Sequence, residues 1–157
     1  MWKYQGKQIE DITDFPKGTY GFIYKVHHIP TNKSYIGKKV LFFERNKKLG
    51  KKELENLKAQ RKIKGLKGKA PTKQKIVTES DWKSYYGSQK EIKDLVKSSS
   101  DKDWHKEILQ ITSSKKLLTY YETKHLFINE VLENSDIYYN NNILGKFYSS
   151  DFDERDS

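Results

Sequence analysis

The chain contains no cysteine and no long apolar run, and these two absences exclude several classes of protein. Without cysteine there is no disulfide framework, no thiolate nucleophile and no zinc site built on thiolate ligands. The longest apolar stretches, such as residues 40–43, are far shorter than the roughly 20 residues that a membrane span needs. No secretory signal pattern opens the sequence. We therefore expect a cytoplasmic protein that does not enter a membrane.

Apolar residues are scarce, at 34% of the chain, but aromatic residues are not. Eleven tyrosines, seven phenylalanines and three tryptophans are enough to build a core, and disordered chains lack such residues. A length of 157 residues is typical of one domain. The composition therefore predicts a folded chain with a single modest core.

Positive charge is in excess and is concentrated in one segment. The chain carries 31 lysines and arginines against 21 acidic residues, a net charge of +10. Residues 38–75 hold 15 of the basic residues and three acids, whereas the other 119 residues have a net charge of −2. A strong positive field concentrates phosphate-bearing ligands and releases their counterions on binding. The segment predicts a polyanionic partner, which composition alone leaves open between DNA, RNA and anionic lipid.

Hydrophobic patterns predict a small sheet. Residues 20–26 show the alternation of a half-buried strand, a turn at residues 30–33 follows, and residues 34–38 return as a second strand. Residues 104–112, rich in isoleucine and leucine, predict a third strand. We expect an α+β fold in which a small three-stranded antiparallel sheet is flanked by helices.

Three helices are predicted around this sheet, at residues 45–62, 89–97 and 115–132. The last of them has the clearest apolar stripe, so it should pack against the sheet.

The same patterns predict how the chain is organised. Residues 1–17 are weakly patterned and are expected to form an N-terminal extension. Residues 18–148 form the domain, with a lysine-rich insertion at about residues 46–77, of which residues 63–76 are expected to be a mobile loop. Residues 149–157 are polar and acidic, and we expect them to form a disordered tail.

Two short motifs in the predicted hairpin resemble those of a known family. The first strand carries the letters FIY at residues 22–24, and the second carries YIG at residues 35–37. They resemble the pair of motifs after which the GIY-YIG nuclease family is named. Phe22 stands where the family usually has glycine, with Gly21 one residue earlier, whereas the second motif is intact.

Further residues occur in the order that this resemblance requires. Arg45, ten residues beyond Tyr35, corresponds to the family's catalytic arginine at the start of its first helix. Glu122 corresponds to the metal-binding glutamate of a long helix, and the letters YYN at residues 138–140 resemble the element that follows it. The letters WKSYYGS at residues 82–88 resemble a subgroup of bacteriophage homing-type endonucleases. The resemblance extends over residues 20–147, which is most of the chain.

The resemblance implies a DNA endonuclease that requires Mg²⁺ or Mn²⁺ and leaves 5′-phosphate and 3′-hydroxyl ends. It implies the following roles: Tyr24 as general base, Tyr35 orienting the water or phosphate, Arg45 bonding the scissile phosphate, Glu122 as the metal ligand, and Asn140, or its neighbours Asn141 and Asn142, positioning by hydrogen bonding.

These residue types suit phosphodiester hydrolysis. The reaction needs an activated water and neutralisation of the charge that grows in the transition state. Mg²⁺ keeps several waters, so a single carboxylate such as Glu122 is a sufficient protein ligand. A free tyrosine has a pKa of about 10, so Tyr24 needs positive charge nearby to act as a base. The candidate sources of that charge are Lys38, Lys39, Arg45 and the metal.

Each of these residues has a structural interpretation when it is taken singly. Tyrosines in strands usually pack against neighbours, an isolated arginine or glutamate on a helix is usually solvated, and asparagines 140–142 are most simply a turn. His125, three residues after Glu122, could contact the same metal, but it lies on the apolar stripe, where a packed histidine is the simpler interpretation. Their occurrence together, in the family's order, favours the nuclease site.

The basic segment predicts contacts with DNA phosphates, which give affinity but little sequence information. The candidate contacts are Lys38, Lys39, Lys47, Lys48, Lys51, Lys52, Arg61, Lys62, Lys64, Lys67 and Lys69. Tyr86 is a further candidate, for stacking on a base or sugar. Homing-type relatives commonly add a separate DNA-binding domain. Here we expect specificity to come from the insertion, from a homodimer or from a partner protein, or to be low.

Two other classes of function are consistent with the residues. One is a catalytically silent nucleic-acid-binding protein that uses only the basic segment. The other is a structural protein of an RNA-rich particle, for which basic composition is ordinary. The residues leave open the recognition sequence, nicking against double-strand cleavage, the oligomeric state, and a role in homing, restriction or repair. For a phage-encoded protein the expected location is the host cell cytoplasm.

Overall fold

The computed structural model describes residues 1–153, and the chain folds as two compact units. The first, which we call the sheet unit, joins Met1–Leu41 to the chain from Asp81 onward, and the second, the insertion unit, is Phe42–Ser80. The strands are β1 (Trp2–Tyr4), β2 (Lys7–Ile9), β3 (Gly21–His28), β4 (Lys33–Val40), β5 (Phe42–Lys48), β6 (Lys73–Glu79), β7 (Trp104–Thr112), β8 (Asn142–Ile143) and β9 (Phe147–Tyr148). The helices are α1 (Lys51–Ile63), α2 (Lys90–Ser98) and α3 (Lys115–Ile128).

The sheet unit is built on a five-stranded sheet with the order β2-β1-β7-β3-β4. The prediction of three strands was wrong, because residues 2–9 add β1 and β2 beside β7. The sheet is also not wholly antiparallel, since β1 runs parallel to β7. Residues 1–17, expected to be an extension, therefore contribute to the sheet. Three-residue strands are too short to show a hydrophobic period, which is why the sequence does not reveal them.

The N-terminal strand is held by the core rather than by the sheet alone. Trp2 is 1% exposed, packs edge-on against Phe22 and Tyr24, and donates its indole N–H to the carbonyl of Trp82 over 2.6 Å. Burial of an indole contributes a large apolar area, and its N–H needs the partner that it has here.

Strand β3 lies inside the sheet, between β7 and β4, and its two faces belong to different hydrophobic clusters. Phe22, Tyr24 and Val26 belong to one cluster together with Trp82 and Ile92, the latter from α2. Ile23 belongs to the other, which includes Leu118 and Leu126 of α3. The alternation of side chains along a strand produces this division, and it confirms the predicted strand and the packing of the long helix against the sheet.

A β-bulge interrupts the pairing of β3 with β7 beside Tyr24. Ile23 is opposite Gln110, but Tyr24 is opposite Ile108, so Leu109 is the extra residue of β7. Leu109 packs in the cluster of α3, whereas Ile108 packs with Tyr24. Bulges bend a strand and redirect its side chains, and they are frequent next to functional sites.

The insertion unit consists of the antiparallel ribbon β5–β6 and α1. The predicted helix at residues 45–62 begins only at Lys51, because residues 42–48 pair with β6 as a strand. The predicted loop at residues 63–76 likewise ends at Lys73, where β6 begins. The pairing joins segments about 30 residues apart, and no local pattern encodes it.

The end of the described chain contains a single 3₁₀ turn, Ser149–Phe152, which lies in the segment expected to be a disordered tail. Residues 154–157 of that predicted tail lie outside the described residues. Among residues 1–153, no helix has the length and apolar character to cross a membrane.

Candidate active site

The two tyrosines of the predicted motifs lie together on one face of the hairpin β3–β4. Tyr24 is directly opposite Gly37, and its ring centroid is 6.3 Å from that of Tyr35. A Cβ atom on Gly37 would lie 2.5 Å from the Tyr24 hydroxyl oxygen. The glycine of the YIG motif is therefore required by close packing: the Tyr24 phenol occupies the space above it.

The segment 85–88 covers both tyrosines. The Tyr24 hydroxyl shares a hydrogen bond with Tyr85, whose ring is perpendicular to that of Tyr24 at 5.8 Å. Gly87 has a φ of +153°, and a Cβ atom there would lie 3.2 Å from the Tyr35 ring. Ser88 shares a hydrogen bond with the Tyr35 hydroxyl. Residues 85–88, with the sequence YYGS, thus form a lid over Tyr24 and Tyr35.

A buried cation lies next to this lid. Lys39 is 8% exposed, its ammonium is 2.6 Å from an Asp81 carboxylate oxygen, and it is also 3.8 Å from the centroid of the Tyr85 ring. Such contacts with an anion and a π face stabilise the charged lysine inside the fold. The ion pair lowers the pKa of Asp81 below its usual value, against the opposing effect of burial. The positive charge of Lys39 therefore contacts Tyr85, which in turn is hydrogen-bonded to Tyr24.

The outer edge of β4 is occupied by three groups in succession. Ser34 bonds the backbone of residues 137 and 139, through Ser34 N to Ile137 O at 2.9 Å and Tyr139 N to Ser34 O at 2.7 Å. Ile36 is bonded on both backbone atoms by the side-chain amide of Asn140, at 3.0 and 2.8 Å. The N–H of Lys38 donates to the carboxylate of Glu122.

This edge explains why Asn140 and Glu122 lie near the YIG strand. A strand edge has unpaired N–H and C=O groups that must find partners. Alternate residues point these groups to the same side, so residues 34, 36 and 38 form one row. Asn140 completes the pairing of Ile36 and is 6% exposed, and Glu122 takes the next donor along the row.

The Glu122 carboxylate is half-buried, and its negative charge affects the pKa of Tyr24 and Tyr35. Burial raises its pKa above the usual glutamate range, and the ammonium and N–H of Lys38 oppose this shift. The Lys38 ammonium is itself 3.0 Å from the Thr119 hydroxyl, on α3 three residues before Glu122. Burial also raises the pKa of Tyr24 well above its usual value, and neighbouring tyrosines and the charge of Glu122 raise it further. Tyr35 shows the same direction, with burial as the main cause.

Comparison with known proteins identifies the family of the chain. The family model described as "Putative endonuclease segE, GIY-YIG domain" matches residues 2–143. The chain belongs to the GIY-YIG endonuclease family. No curated protein and no solved structure matches the chain. Family membership makes this a nuclease domain, whose substrate is a nucleic acid and whose reaction is phosphodiester hydrolysis.

The match confirms the resemblance drawn from the hairpin motifs, and it also covers the N-terminal strands β1 and β2. The mixed α/β architecture agrees with a GIY-YIG nuclease fold, apart from the larger number of strands. Within the GIY-YIG domain, Tyr24, Tyr35 and Glu122 are brought together, with Asn140 on the same edge of β4 as Glu122.

The remaining candidate catalytic residue, Arg45, lies in the insertion unit. It was expected at the start of a helix, but it is an exposed residue of strand β5, paired with Ile76. Helix α1 begins six residues later, at Lys51. That expectation was wrong because it depended on a helical pattern that β5–β6 pairing overrides.

The candidate DNA contacts divide into two groups. Most of them are exposed residues of the insertion unit: Lys47, Lys48, Lys51, Lys52, Lys62, Lys64, Lys67 and Lys69. Arg61 is half-buried in the same unit, and Lys38 is exposed in the sheet unit. Lys39 is instead buried, and its ammonium is paired with the carboxylate of the exposed Asp81.

Two other side chains have structural partners. The Tyr86 hydroxyl is hydrogen-bonded to Asp101, and its ring packs on Trp104 at 5.2 Å and on the Lys106 ammonium at 4.2 Å. His125, considered as a second metal ligand, has its Nε2 atom 3.0 Å from the Gln110 side-chain oxygen. Burial lowers the pKa of His125 from its usual value.

The sequence did not predict that Tyr85 bonds to Tyr24 or that Asp81 pairs with Lys39, whereas Lys39 was among the candidate sources of positive charge for Tyr24. The WKSYYGS letters were available as a family-like segment, but only folding shows that Tyr85 reaches the Tyr24 hydroxyl. The signal for Lys39 is its position two residues after Gly37, on the same face of β4 as Tyr35.

The chemistry of the donor set is compatible with a lightly coordinated divalent ion. Within residues 1–153 there is no cluster of three or more His, Cys, Asp or Glu side chains that could enclose a metal. Glu122 is a half-buried carboxylate whose charge is incompletely compensated, as its raised pKa indicates. Mg²⁺ binds commonly through one or two carboxylates, with water and substrate phosphate oxygens as its other ligands. Glu122 therefore fits Mg²⁺ better than it would fit a metal that needs a protein cage.

Proposed function

We propose that this protein is a Mg²⁺-dependent DNA endonuclease of the homing type, associated with bacteriophage. The observation that carries the proposal is the proximity of the Glu122 charge to the phenols of Tyr24 and Tyr35 inside a GIY-YIG domain. An incompletely compensated carboxylate beside two phenols destabilises the free protein, and such arrangements are typical of functional sites. In a homing or phage context the substrate would be duplex DNA.

The proposed role of Glu122 is to hold the metal, for which Mn²⁺ is the alternative. When bound, the ion would act as a Lewis acid on a phosphate oxygen and offset the carboxylate charge. Burial, and to a smaller extent the neighbouring tyrosines and the charge of Glu122, raise the pKa of Tyr24, so Tyr24 keeps its proton in the metal-free protein. The buried Lys39 holds a positive charge over the ring of Tyr85, the hydrogen-bond partner of Tyr24.

We assign the remaining steps to named groups. Tyr24 is the general base, and the hydrogen bond that its hydroxyl shares with Tyr85 holds it in place. Tyr35, which is less buried, orients the water or the scissile phosphate. Arg45, which lies in the insertion unit, is proposed to make charge-assisted contacts with the DNA bound by that unit. Asn140 acts as a positioning residue through Ile36, because both ends of its amide are bonded there.

The insertion unit is proposed to bind the DNA backbone. It carries 13 lysines and arginines against four acids, a net charge of +9, while the rest of the chain has a net charge of +1. Exposed lysines neutralise phosphates without reading bases. The excess of charge in this unit supports DNA as the partner of the whole protein.

The experiment is a cleavage assay on supercoiled and linear plasmid DNA with Mg²⁺, comparing wild type, Glu122→Gln and Glu133→Gln. Glu122→Gln keeps the shape of the side chain but removes the metal ligand, so we expect the rate to fall about 100-fold or more. Glu133 is exposed in the turn after α3 and supplies a matched loss of one charge. Glu133→Gln should retain the wild-type rate.

The alternatives predict different results. If wild type leaves both DNA forms intact with Mg²⁺ and Mn²⁺ over a range of salt concentrations, the enzyme proposal is wrong. DNA binding without cleavage would then indicate a silent binding protein. Preference for structured RNA over DNA, again without cleavage, would indicate a component of an RNA-rich particle.

A further inference from the structure

The ribbon β5–β6 of the insertion unit is exposed on both faces. All seven residues of β5 are exposed, and of the seven residues of β6 only Ile76 is half-buried. The pairing runs without a bulge from Phe42 opposite Glu79 to Lys48 opposite Lys73. No residue of the ribbon is buried, although Gln74, near one end of it, also lines an open groove with Glu53 and Leu57 of α1.

The two faces of the ribbon differ in chemistry. Residues that pair across an antiparallel ribbon share a face, and the next pair lies on the other face. One face, which we call the Arg45 face, has the pairs Phe43 with Thr78, Arg45 with Ile76 and Lys47 with Gln74. The opposite face carries both signs of charge: besides Asn46 it has two acids, Glu44 and Glu79, and three lysines, Lys48, Lys73 and Lys75, so its net charge of +1 is lower than the +2 of the Arg45 face.

The Arg45 face contains no acidic residue. The opposite face contains two, and one of them, Glu44, forms an ion pair of 3.1 Å with Lys75. A carboxylate is repelled by DNA phosphates, whereas arginine, lysine, glutamine and threonine are donors or acceptors that match base edges. The charge pattern therefore selects the Arg45 face as the one turned toward DNA.

The dimensions of the ribbon match a groove of duplex DNA. Seven residues in a strand extend about 23 Å, and paired strands lie about 4.8 Å apart. The major groove of B-form DNA is about 12 Å wide and admits a two-stranded ribbon. The major groove of A-form RNA is too deep and narrow for side chains to reach the bases.

We propose that the Arg45 face of β5–β6 enters the major groove and determines sequence preference through Gln74 and Thr78. Both side chains are exposed, uncharged and able to hydrogen-bond, so they can discriminate base edges without adding to phosphate affinity. The inference rests on the proposed function for the identity of the nucleic acid as duplex DNA. It adds a specificity element, which the proposed lysine contacts cannot supply.

The test is a binding selection with the full chain carrying Glu122→Gln, which prevents cleavage. The probe is a pool of DNA duplexes with a randomised central segment, and the bound fraction is sequenced. Gln74→Ala and Thr78→Ala are compared with Asn46→Ala, which removes an exposed amide from the opposite face. Circular dichroism checks that each variant is folded.

We expect the parent to select defined bases. Gln74→Ala should reduce discrimination at one base position by about 5-fold to 150-fold, and Thr78→Ala should relax a neighbouring position. Asn46→Ala should keep the parental preference. Affinity for unselected duplex DNA and its salt dependence should be the same in all variants, because none changes a charge.

Three outcomes overturn the inference: no base preference in the parent, parental preference in both Gln74→Ala and Thr78→Ala, or equal relaxation in Asn46→Ala. The plasmid assay separates this inference from the proposed function. Cleavage by wild type with no base preference would support the nuclease and reject the reading face. Selection that depends on Gln74, in a protein that does not cleave, would support the reading face and reject the nuclease.

Discussion

At the scale of single residues, Glu122 lies in an environment that disfavours its charged form. It is half-buried on α3, and one lysine ammonium and one backbone N–H do not fully compensate the loss of water. The same charge raises the pKa of the two hairpin tyrosines. The proposed role of Glu122 in metal binding therefore has a cost in the stability of the metal-free protein.

The first residue-scale prediction concerns the stability of Glu122→Gln without divalent metal. Because the pKa of Glu122 is raised in the folded state, the folded protein binds more protons than the unfolded chain just above the usual glutamate pKa. Wild-type stability should therefore fall as the pH rises through that range, and Glu122→Gln should not share this loss. In EDTA at pH 7 we expect the variant to have a higher Tm than wild type.

Below about pH 4 the carboxyl group is protonated in both states, so the difference in Tm should vanish. Glu133→Gln provides the control, and its difference from wild type should not depend on pH in this way. Mg²⁺ should raise the Tm of wild type and leave Glu122→Gln unaffected, since a ligand that binds only the folded state stabilises it. A lower Tm for Glu122→Gln at pH 7 would contradict the assigned burial of the charge.

At the scale of elements, the hairpin β3–β4 carries both core side chains and the candidate catalytic tyrosines. Its inner edge pairs with β7 through a bulge beside Tyr24, and its outer edge is bonded by residues 137–139, Asn140 and Glu122. The hairpin is therefore fixed on both edges. Such support holds reacting groups in place better than a loop would.

The element-scale prediction is that Gly37→Ala disrupts this hairpin. The new Cβ atom would lie 2.5 Å from the Tyr24 hydroxyl oxygen, so the phenol must move away from Tyr85 or the strands must separate. We expect a loss of about 1–3 kcal/mol in the free energy of unfolding, measured by urea denaturation. The cleavage rate should fall by about 100-fold, because a displacement of the general base by about 1 Å has an effect of this size.

Gly50→Ala is the matched control for the glycine change. Gly50 has a φ of −69°, and no atom lies within 4 Å of the position where a Cβ would be. Its effect on the free energy of unfolding should stay within about 0.5 kcal/mol. Wild-type cleavage by a folded Gly37→Ala protein would show that the position of the Tyr24 phenol does not matter for the reaction.

At the scale of the whole molecule, the chain separates a nearly neutral sheet unit from a strongly basic insertion unit. The insertion unit has little apolar packing of its own: no residue of α1 is buried, and its ribbon is exposed. Like charges at this density repel one another in the free protein and favour an anionic partner. The distribution of charge, more than its total, points to the surface that binds nucleic acid.

The whole-molecule prediction is a change in the salt dependence of DNA binding. Lys52, Lys62 and Lys69 are exposed in the insertion unit, and none of them belongs to the ribbon. Replacing all three by glutamine should reduce the slope of log K against log salt by about 1 per lysine. Fluorescence anisotropy with a labelled duplex at several salt concentrations measures this slope.

The control replaces three exposed lysines of the sheet unit, Lys97, Lys102 and Lys146, by glutamine. It removes the same net charge, so a general effect of charge would lower both slopes equally. We expect the control to keep the wild-type slope. Equal slopes in all three proteins would mean that the basic residues of the insertion unit are merely solvated.

Much of the sheet unit follows from local sequence. The alternation of residues 20–26 predicts β3, the segment 104–112 coincides with β7, and the apolar stripe after Ser114 predicts α3. The FIY and YIG motifs identify the GIY-YIG family, as the family comparison confirms. These features are readable because period, capping and motif spacing are properties of neighbouring residues.

The sequence by itself thus determined the family, the central hairpin and the location of the charge. Only the tertiary structure decided that β1 joins the sheet beside β7, that Arg45 belongs to a strand, and that Tyr85 bonds to Tyr24 while Lys39 lies over the Tyr85 ring. The reason is the distance along the chain: Trp2 pairs with Lys106, and Arg45 with Ile76. Pairing between distant segments depends on which partner is present, and no local period records it.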